Sequence, residues 1–203
     1  ESITINSLGL RGDEFSNIKP SDTYRIFMIG GSTMFGAGAT SDETTISGYL
    51  QNILDENDFG FDVEVINAGI QGADSNTELS LIEQKLMGLS PDLLIIYDGW
   101  NDLREHNTSM KVKENWESMC KFGKENGFDV IISLQPIAGF GNKVLTTQEL
   151  TYAKTGKDYS NNLLIESLPI YQDYGKNLQV ITTCTKTFDL RDVFDSKSNP
   201  IYW

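Results

Sequence analysis

Arg25-Ile26-Phe27-Met28-Ile29-Gly30-Gly31-Ser32-Thr33-Met34-Phe35-Gly36 is an apolar run that goes straight into two glycines and a serine. An apolar run bounded by Gly is what a parallel strand buried on both faces looks like, and paired glycines let the backbone turn sharply where a sheet ends. Ser32 then stands at the strand's carboxyl end, the edge on which open parallel sheets bind their ligands. Three other uses of the stretch fail on their letters. A phosphate-binding P-loop needs Lys followed by Ser or Thr at the end of its glycine loop, and none follows. A dinucleotide fingerprint needs a third Gly after Gly36 and Gly38, where Ser41 stands. The elbow of the α/β-hydrolases needs Gly at the position of Met34. What remains is a strand that presents a nucleophile, or a buried strand followed by a turn and an idle serine.

Downstream, strands and helices alternate. Ile46, Tyr49, Leu50, Ile53 and Leu54 recur at helical spacing behind the capping candidates Ser41 and Asp42. Asp62 to Gly69 alternates Val with acidic residues, as a strand at or near a sheet edge does. Ser75 with Glu78 has the capping-box pattern, Leu79, Ile82, Leu86 and Leu89 form a helical stripe, and Ser90-Pro91 stops it. Asp92 to Tyr97 is an apolar third strand that ends in Asp98-Gly99-Trp100-Asn101-Asp102. A helix with Val112, Trp116, Met119 and Gly123 on one face leads to a fourth strand, Val130 to Leu134. Residues 137–160 lack a clean period and contain Gly139, Gly141 and Gly156, which predicts a long loop or broken helix over the carboxyl edge. A helix from Leu163 to Tyr174, kinked at Pro169, is expected to precede a last strand at Leu178 to Thr182.

This alternation means βαβ units. The expected architecture is α/β: a three-layer α/β/α flavodoxin-like sandwich around a five-stranded parallel sheet, in the order 2-1-3-4-5. Residues 1–23 read as an extended arm lying on a domain that spans 24–203. In that strand order the turns after strands one, two and three lie side by side, so Ser32, Gly72 and Asn101 are expected to meet. Acyl transfer through serine needs a nucleophile and donors aimed at the oxyanion. A Gly in a tight turn offers an unhindered N–H and an Asn side chain offers another.

Gly30-Gly31-Ser32, Asn67-Ala68-Gly69 with Gly72, and Gly99-Trp100-Asn101-Asp102 resemble the first three blocks of the SGNH (GDSL-type) hydrolases, in order and each after the expected strand. The resemblance runs from about Arg25 to the end. It implies Ser32 as nucleophile and an oxyanion hole made by the Ser32 N–H, the Gly72 N–H and the Asn101 side chain. Gly31, Gly99 and Asp102 have supporting roles, Asp102 by orienting the Asn101 turn. Gly31 stands where the family's name-giving motif has Asp. The larger departure is the general base, which the family carries in a C-terminal Asp-x-x-His block that these residues do not contain. Phe188 to Asp195 resembles the lead-in to it, so the domain reads as stopping short of that segment. His106, the only histidine, has Leu103 three residues ahead of it rather than Asp, and is expected to be an exposed loop residue. Asp189, Asp192 and Asp195 read as turn and surface carboxylates.

The 203 residues, 39% of them hydrophobic, suffice for one core and one domain. A net charge of −13 repels nucleic acid and anionic membrane surfaces. No apolar run is long enough for a membrane helix. Cys120 and Cys184 lack a His cluster and do not suggest zinc; between one disulfide and two buried free thiols, the thiols are the expectation. No metal or cofactor is implied. The first residue is Glu1 rather than Met, which with the resemblance leads to the expectation of an extracytoplasmic protein, secreted or anchored through a segment outside these residues. The sequon Asn107-Thr108-Ser109 is too common by chance to weigh.

The expected activity is hydrolysis of small O-acyl esters, with an acylated glycan as the preferred substrate by family analogy. The alternative is a base-lacking module that keeps the fold and binds glycan or a partner protein. A flavodoxin-like cofactor binder is a weaker third, since there is no phosphate-binding loop.

Overall fold

The computed structural model describes residues 3–155 and 168–202. Five parallel strands form one sheet in the order β2-β1-β3-β4-β5. They are β1 (Thr23–Gly30), β2 (Asp62–Gly69), β3 (Leu93–Asp98), β4 (Asp129–Leu134) and β5 (Lys186–Asp189). The helices are α1 (Ser32–Phe35), α2 (Ile46–Asp55), α3 (Ser75–Gln84), α4 (Trp100–Arg104), α5 (Ser109–Asn126), α6 (Thr147–Thr155) and α7 (Leu168–Val180). β2 and β5 are the edges, as expected, and β1 lies beside β3.

The sheet's two faces are unequal. Phe27, Ile29, Leu94, Ile96, Val130, Ile132 and Leu134 point into the main core, where Ile82, Trp116, Met119, Tyr171, Tyr174 and Leu178 of α3, α5 and α7 meet them. Ile26 and Met28 point the other way, into a smaller cluster with Met34 and with Leu50 and Leu54 of α2. β3 shows the asymmetry residue by residue: Leu94, Ile96 and Asp98 are buried, while Leu93, Ile95 and Tyr97 are half-exposed. Three helices cover one face, and α2 with Met34 of the short α1 covers the other, among the described residues. None of the described helices is long and apolar enough to cross a membrane.

Several local expectations are corrected. α2 starts later than Ser41 and Asp42 suggested: Thr45 is its N-cap, accepting from the Gly48 N–H. Asp42 instead receives the Arg11 guanidinium. The N-cap of α3 is Asp74, which accepts from the Thr77 N–H. That one-residue shift puts Ser75 and Glu78 inside the helix, so they form no capping box, and Glu78 turns into the protein. The expected strand at Leu178 to Thr182 is the end of α7 and the turn after it. Tyr171, Tyr174 and Leu178 are spaced for one helical face and all are buried. Pro169 sits in the first turn of α7, where its missing N–H has no helical partner to lose. The last strand is the short polar edge strand Lys186–Asp189. Residues 147–155 of the expected loop form α6, and the expected helical residues 163–167 lie outside the described residues.

The two cysteines are paired rather than free. Cys120 of α5 and Cys184, ahead of β5, form a disulfide across a sequence separation of 64.

The N-terminal residues are tied to the sheet. Arg11 bridges Asn67 of β2 in antiparallel fashion, Lys85 donates to the Leu8 carbonyl and Lys19 pairs with Asp92. At the other end of the chain, Glu149 of α6 is fully buried. It accepts from Lys143 and from the backbone N–H groups of Thr146, Ile201 and Tyr202, so residues 201–202 are pinned against α6.

Candidate active site

β1 ends at Gly30, and Ser32 opens the four-residue helix α1 at the carboxyl edge of the sheet. α1 lies tight against the end of β2, which requires Gly69: a Cβ there would collide with the Phe35 backbone nitrogen. Asn67 uses both ends of its amide at this junction. Its Nδ2 donates to the Met34 carbonyl at 2.9 Å and its Oδ1 accepts from the Gly69 N–H at 3.0 Å. From the N-terminal arm, buried Arg11 donates to the carbonyls of Phe35, Gly36 and Ser41 and to the Asp42 carboxylate. The turn that follows Ser32 is thus tied down from both sides, by a β2 side chain and by the arm.

The three blocks converge. The Ile70 N–H donates to the Gly30 carbonyl at 2.9 Å, which brings the turn after β2 over the end of β1. The Asn101 amide donates to the Ala73 carbonyl at 2.6 Å. The same amide nitrogen lies over Gly31: a Cβ added at Gly31 would collide with it and come within 3.4 Å of the Ala73 carbonyl. Ser32 follows Gly31 and Gly72 precedes Ala73, so all three candidate residues sit around one point. Ser32 is half-buried, Gly72 exposed with a positive φ of 80°, and Asn101 buried. Gly72's left-handed backbone suits a residue without a side chain.

Gly99 is needed on two counts. Its φ is 124°, and a Cβ there would lie 2.6 Å from Leu134 and 2.9 Å from the Tyr171 hydroxyl. Asp102 is fully buried. It accepts from the Ser75 N–H at 2.9 Å, the Ser75 hydroxyl at 2.6 Å and the Asn107 amide at 2.8 Å, tying the Asn101 turn to the first turn of α3. Asp74 reinforces the junction. Burial alone would raise its carboxyl, but hydrogen bonds from Asn76, the Thr77 N–H and Asn107 outweigh that and hold it down at about 2.

His106 is exposed and adopts a left-handed φ of 57° two residues past the end of α4. Asp189 pairs with Arg191 beside β5, and Asp195 accepts from Asn142. A cleft of about 360 Å³ is lined by Tyr24, Asp92 and Phe128 near the amino ends of the strands.

Sequence reasoning did not single out Arg11, Asn67 as a brace, Asp74, or the inward-facing Glu78 and Asp98. Arg11 sits in a polar arm with nothing to mark it, whereas Asn67 was visible within its block and lacked only an assigned contact.

Solved structures similar to the chain include esterases. An acetyl xylan esterase, AlAXEase, matches with a TM-score of 0.57 at 18% identity over 85% of this chain and 80% of that one. An acetylxylan esterase from Geobacillus stearothermophilus matches with a TM-score of 0.58 at 13% identity, over 88% of this chain and 81% of that one. AlinE4, an SGNH-hydrolase family esterase, matches with a TM-score of 0.53 at 14% identity, over 89% and 82%. At these identities the likeness concerns the fold. No curated protein sequence matches the chain significantly. The model of the GDSL-like lipase/acylhydrolase family matches residues 28–163, from within β1 past the end of α6. The chain belongs to the GDSL-like lipase/acylhydrolase family.

Proposed function

We propose that this protein is a serine ester hydrolase acting on small O-acyl esters. Ser32 Oγ attacks the acyl carbonyl, the ester C–O bond breaks and the alcohol leaves with a proton. Water then hydrolyses the acyl-serine. The oxyanion is held by the N–H groups of Ser32 and Gly72 and by Asn101. The observation that carries this reading is the position of the Asn101 amide, over Gly31 with one N–H on the Ala73 carbonyl. An amide has two N–H groups, and the second is available to substrate beside Ser32. An O-acyl group on a glycan is the favoured substrate, supported by the names of the acetylxylan esterases that share the fold.

The proton acceptor is the open part of the mechanism. The family's Asp-x-x-His block is absent from these 203 residues, and the one histidine, His106, is exposed with no Asp three residues ahead. A serine triad without its base keeps only about 10³ to 10⁴ of acceleration over water. We therefore place the base in a segment outside these residues, and the disulfide supports an oxidising, extracytoplasmic location.

The test is labelling by a fluorophosphonate together with hydrolysis of p-nitrophenyl acetate, run on the native polypeptide after its intact mass is measured. Labelling and turnover that vanish in Ser32→Ala support the proposal. A native polypeptide no heavier than the 22.7 kDa chain, with neither labelling nor turnover, favours the base-lacking binding module instead.

A further inference from the structure

Behind the Gly72 and Asn101 turns lie three carboxyl groups that ester chemistry does not use. Glu78 comes from α3, Asp98 from the end of β3 and Asp102 from α4, and their exposures are 1%, 2% and 0%. Among the described residues none of the three is ion-paired. They do not have the arrangement of a metal centre.

Their hydrogen bonds differ sharply. Asp102 accepts from three donors, two on Ser75 and one on Asn107. Asp98 accepts from the Gly99 N–H at 2.6 Å and the Trp116 indole N–H at 2.8 Å, and its carboxyl meets that of Asp102. Neither oxygen of Glu78 has a partner. Among the described residues, the charged groups that act on Glu78 are Asp98, Asp102 and Asp74. Around Asp98 and Asp102, α7 presents the hydroxyls of Tyr171 and Tyr174, both pushed upward by burial, and Arg191, packed against Gly175 of α7, acts on Tyr171 in the opposite direction.

Two bare carboxylates in contact away from water repel one another, so such a pair retains a proton. Three donors favour Asp102 as the anion, which leaves Asp98 to hold the proton and donate it to Asp102. A Glu78 carboxylate with no donor, facing three other acids, is far costlier to bury than the neutral acid. Burial, then the nearby acids, push both Glu78 and Asp98 well above the ordinary carboxylate range.

We propose that Asp98 and Asp102 form a protonated clamp that positions the oxyanion turns, with Asp98 as a neutral acid, Asp102 as the single anion and Glu78 buried beside them as a second neutral acid. The role in positioning rests on the reading of Gly72 and Asn101 given above. Asp102 holds the Asn101 turn against Ser75, three residues past Gly72, and Asn101 itself holds Ala73. When Asp98 loses its proton the two aspartates repel, and the bonds that join the turns are opposed by that repulsion. The clamp is closed in acid and neutral solution and opens in alkali.

The first readout is infrared spectroscopy of the full chain at neutral pH, where ordinary carboxyls are ionised. A protonated-carboxyl carbonyl band is expected, weakened in Glu78→Gln and in Asp98→Asn. The second is the pH profile of Ser32 labelling by a fluorophosphonate. Wild-type labelling is expected to fall in alkali by about a hundredfold, the loss of one oxyanion donor. Asp98→Asn puts an amide where an oxygen accepts from Trp116, so it lowers the melting temperature at every pH, but it removes the alkaline fall. A wild-type spectrum without the band overturns the clamp. A band accompanied by the same labelling profile in wild type and Asp98→Asn overturns its positioning role. If Ser32 is not labelled at any pH, the nucleophile assignment fails separately, and the clamp is decided by the slope of folding stability against pH. That slope corresponds to about two protons taken up on folding near neutrality, and about one in Glu78→Gln. An identical slope in the two proteins overturns it.

Discussion

Asn101 has one amide N–H committed to the Ala73 carbonyl, so its usefulness rests on the other and on the empty space at Gly31. Asn101→Ala is expected to lower kcat for ester hydrolysis by about 10² to 10³ with little change in KM, because the lost interaction belongs to the transition state. Steady-state kinetics on the native polypeptide check this. Gly31→Ala drives a methyl into the Asn101 amide. Its melting temperature is expected to drop, and adding Asn101→Ala is expected to restore part of the loss. Such non-additivity is what two residues in direct contact show, and two additive drops would mean that the contact is absent. The sequence pattern could bring these residues to one sheet edge because each follows a strand of the parallel sheet. It gave no warning that Glu78 would face inward. Ser75 and Glu78 satisfy the capping pattern as well as any pair, and only the competing side chain of Asp74 moves the helix start by one residue.

At the level of elements, the arm and α1 behave as one unit. Arg11 joins them, with its guanidinium fully buried against Asp42 and the carbonyls of Phe35 and Gly36. Arg11→Met removes one donor from each of these acceptors, which keep their bonds from Thr4, Asn67, Ala39 and Thr44, and is expected to cost about 2 kcal/mol, the scale of hydrogen bonds to a charged group. Urea unfolding measures it, and a loss below a few tenths would mean that the arm is ornamental. Elements with strong periodicity were legible: β1, β3, β4 and the buried stripe of α5 all follow from apolar pattern. β5 was not, because Lys186-Thr187-Phe188-Asp189 is short, polar and at an edge, while Leu178-Gln179-Val180-Ile181 offers the β-branched letters of a strand. The packing of Tyr171, Tyr174 and Leu178 against the sheet overrides that local preference.

For the molecule as a whole, acid and disulfide set the limits of stability. Burial would raise the Asp42 carboxyl and also that of Asp74, but hydrogen bonds, chiefly from Arg11 and from Asn76, bring both down; the Arg191 hydrogen bond lowers Asp189. Carboxyls lowered on folding stabilise above the ordinary carboxylate pKa of roughly 4, and that contribution disappears as pH falls through the folded values. Glu78 and Asp98, raised on folding, have the opposite sign and lose their contribution as pH rises. The melting temperature is therefore expected to peak in mildly acidic solution, and a maximum in alkali would contradict these assignments. The pairing of Cys120 with Cys184 closes a 64-residue separation, worth about 4 kcal/mol in the chain-entropy view of disulfides. Dithiothreitol is expected to lower the urea midpoint accordingly. The same crosslink has a topological effect. Residues 121–183, which include β4, α6 and α7, lie inside a covalent ring. A protease that cuts the backbone once anywhere in that ring opens it without releasing a fragment. The nicked protein would migrate as one band until a reductant separates it into two.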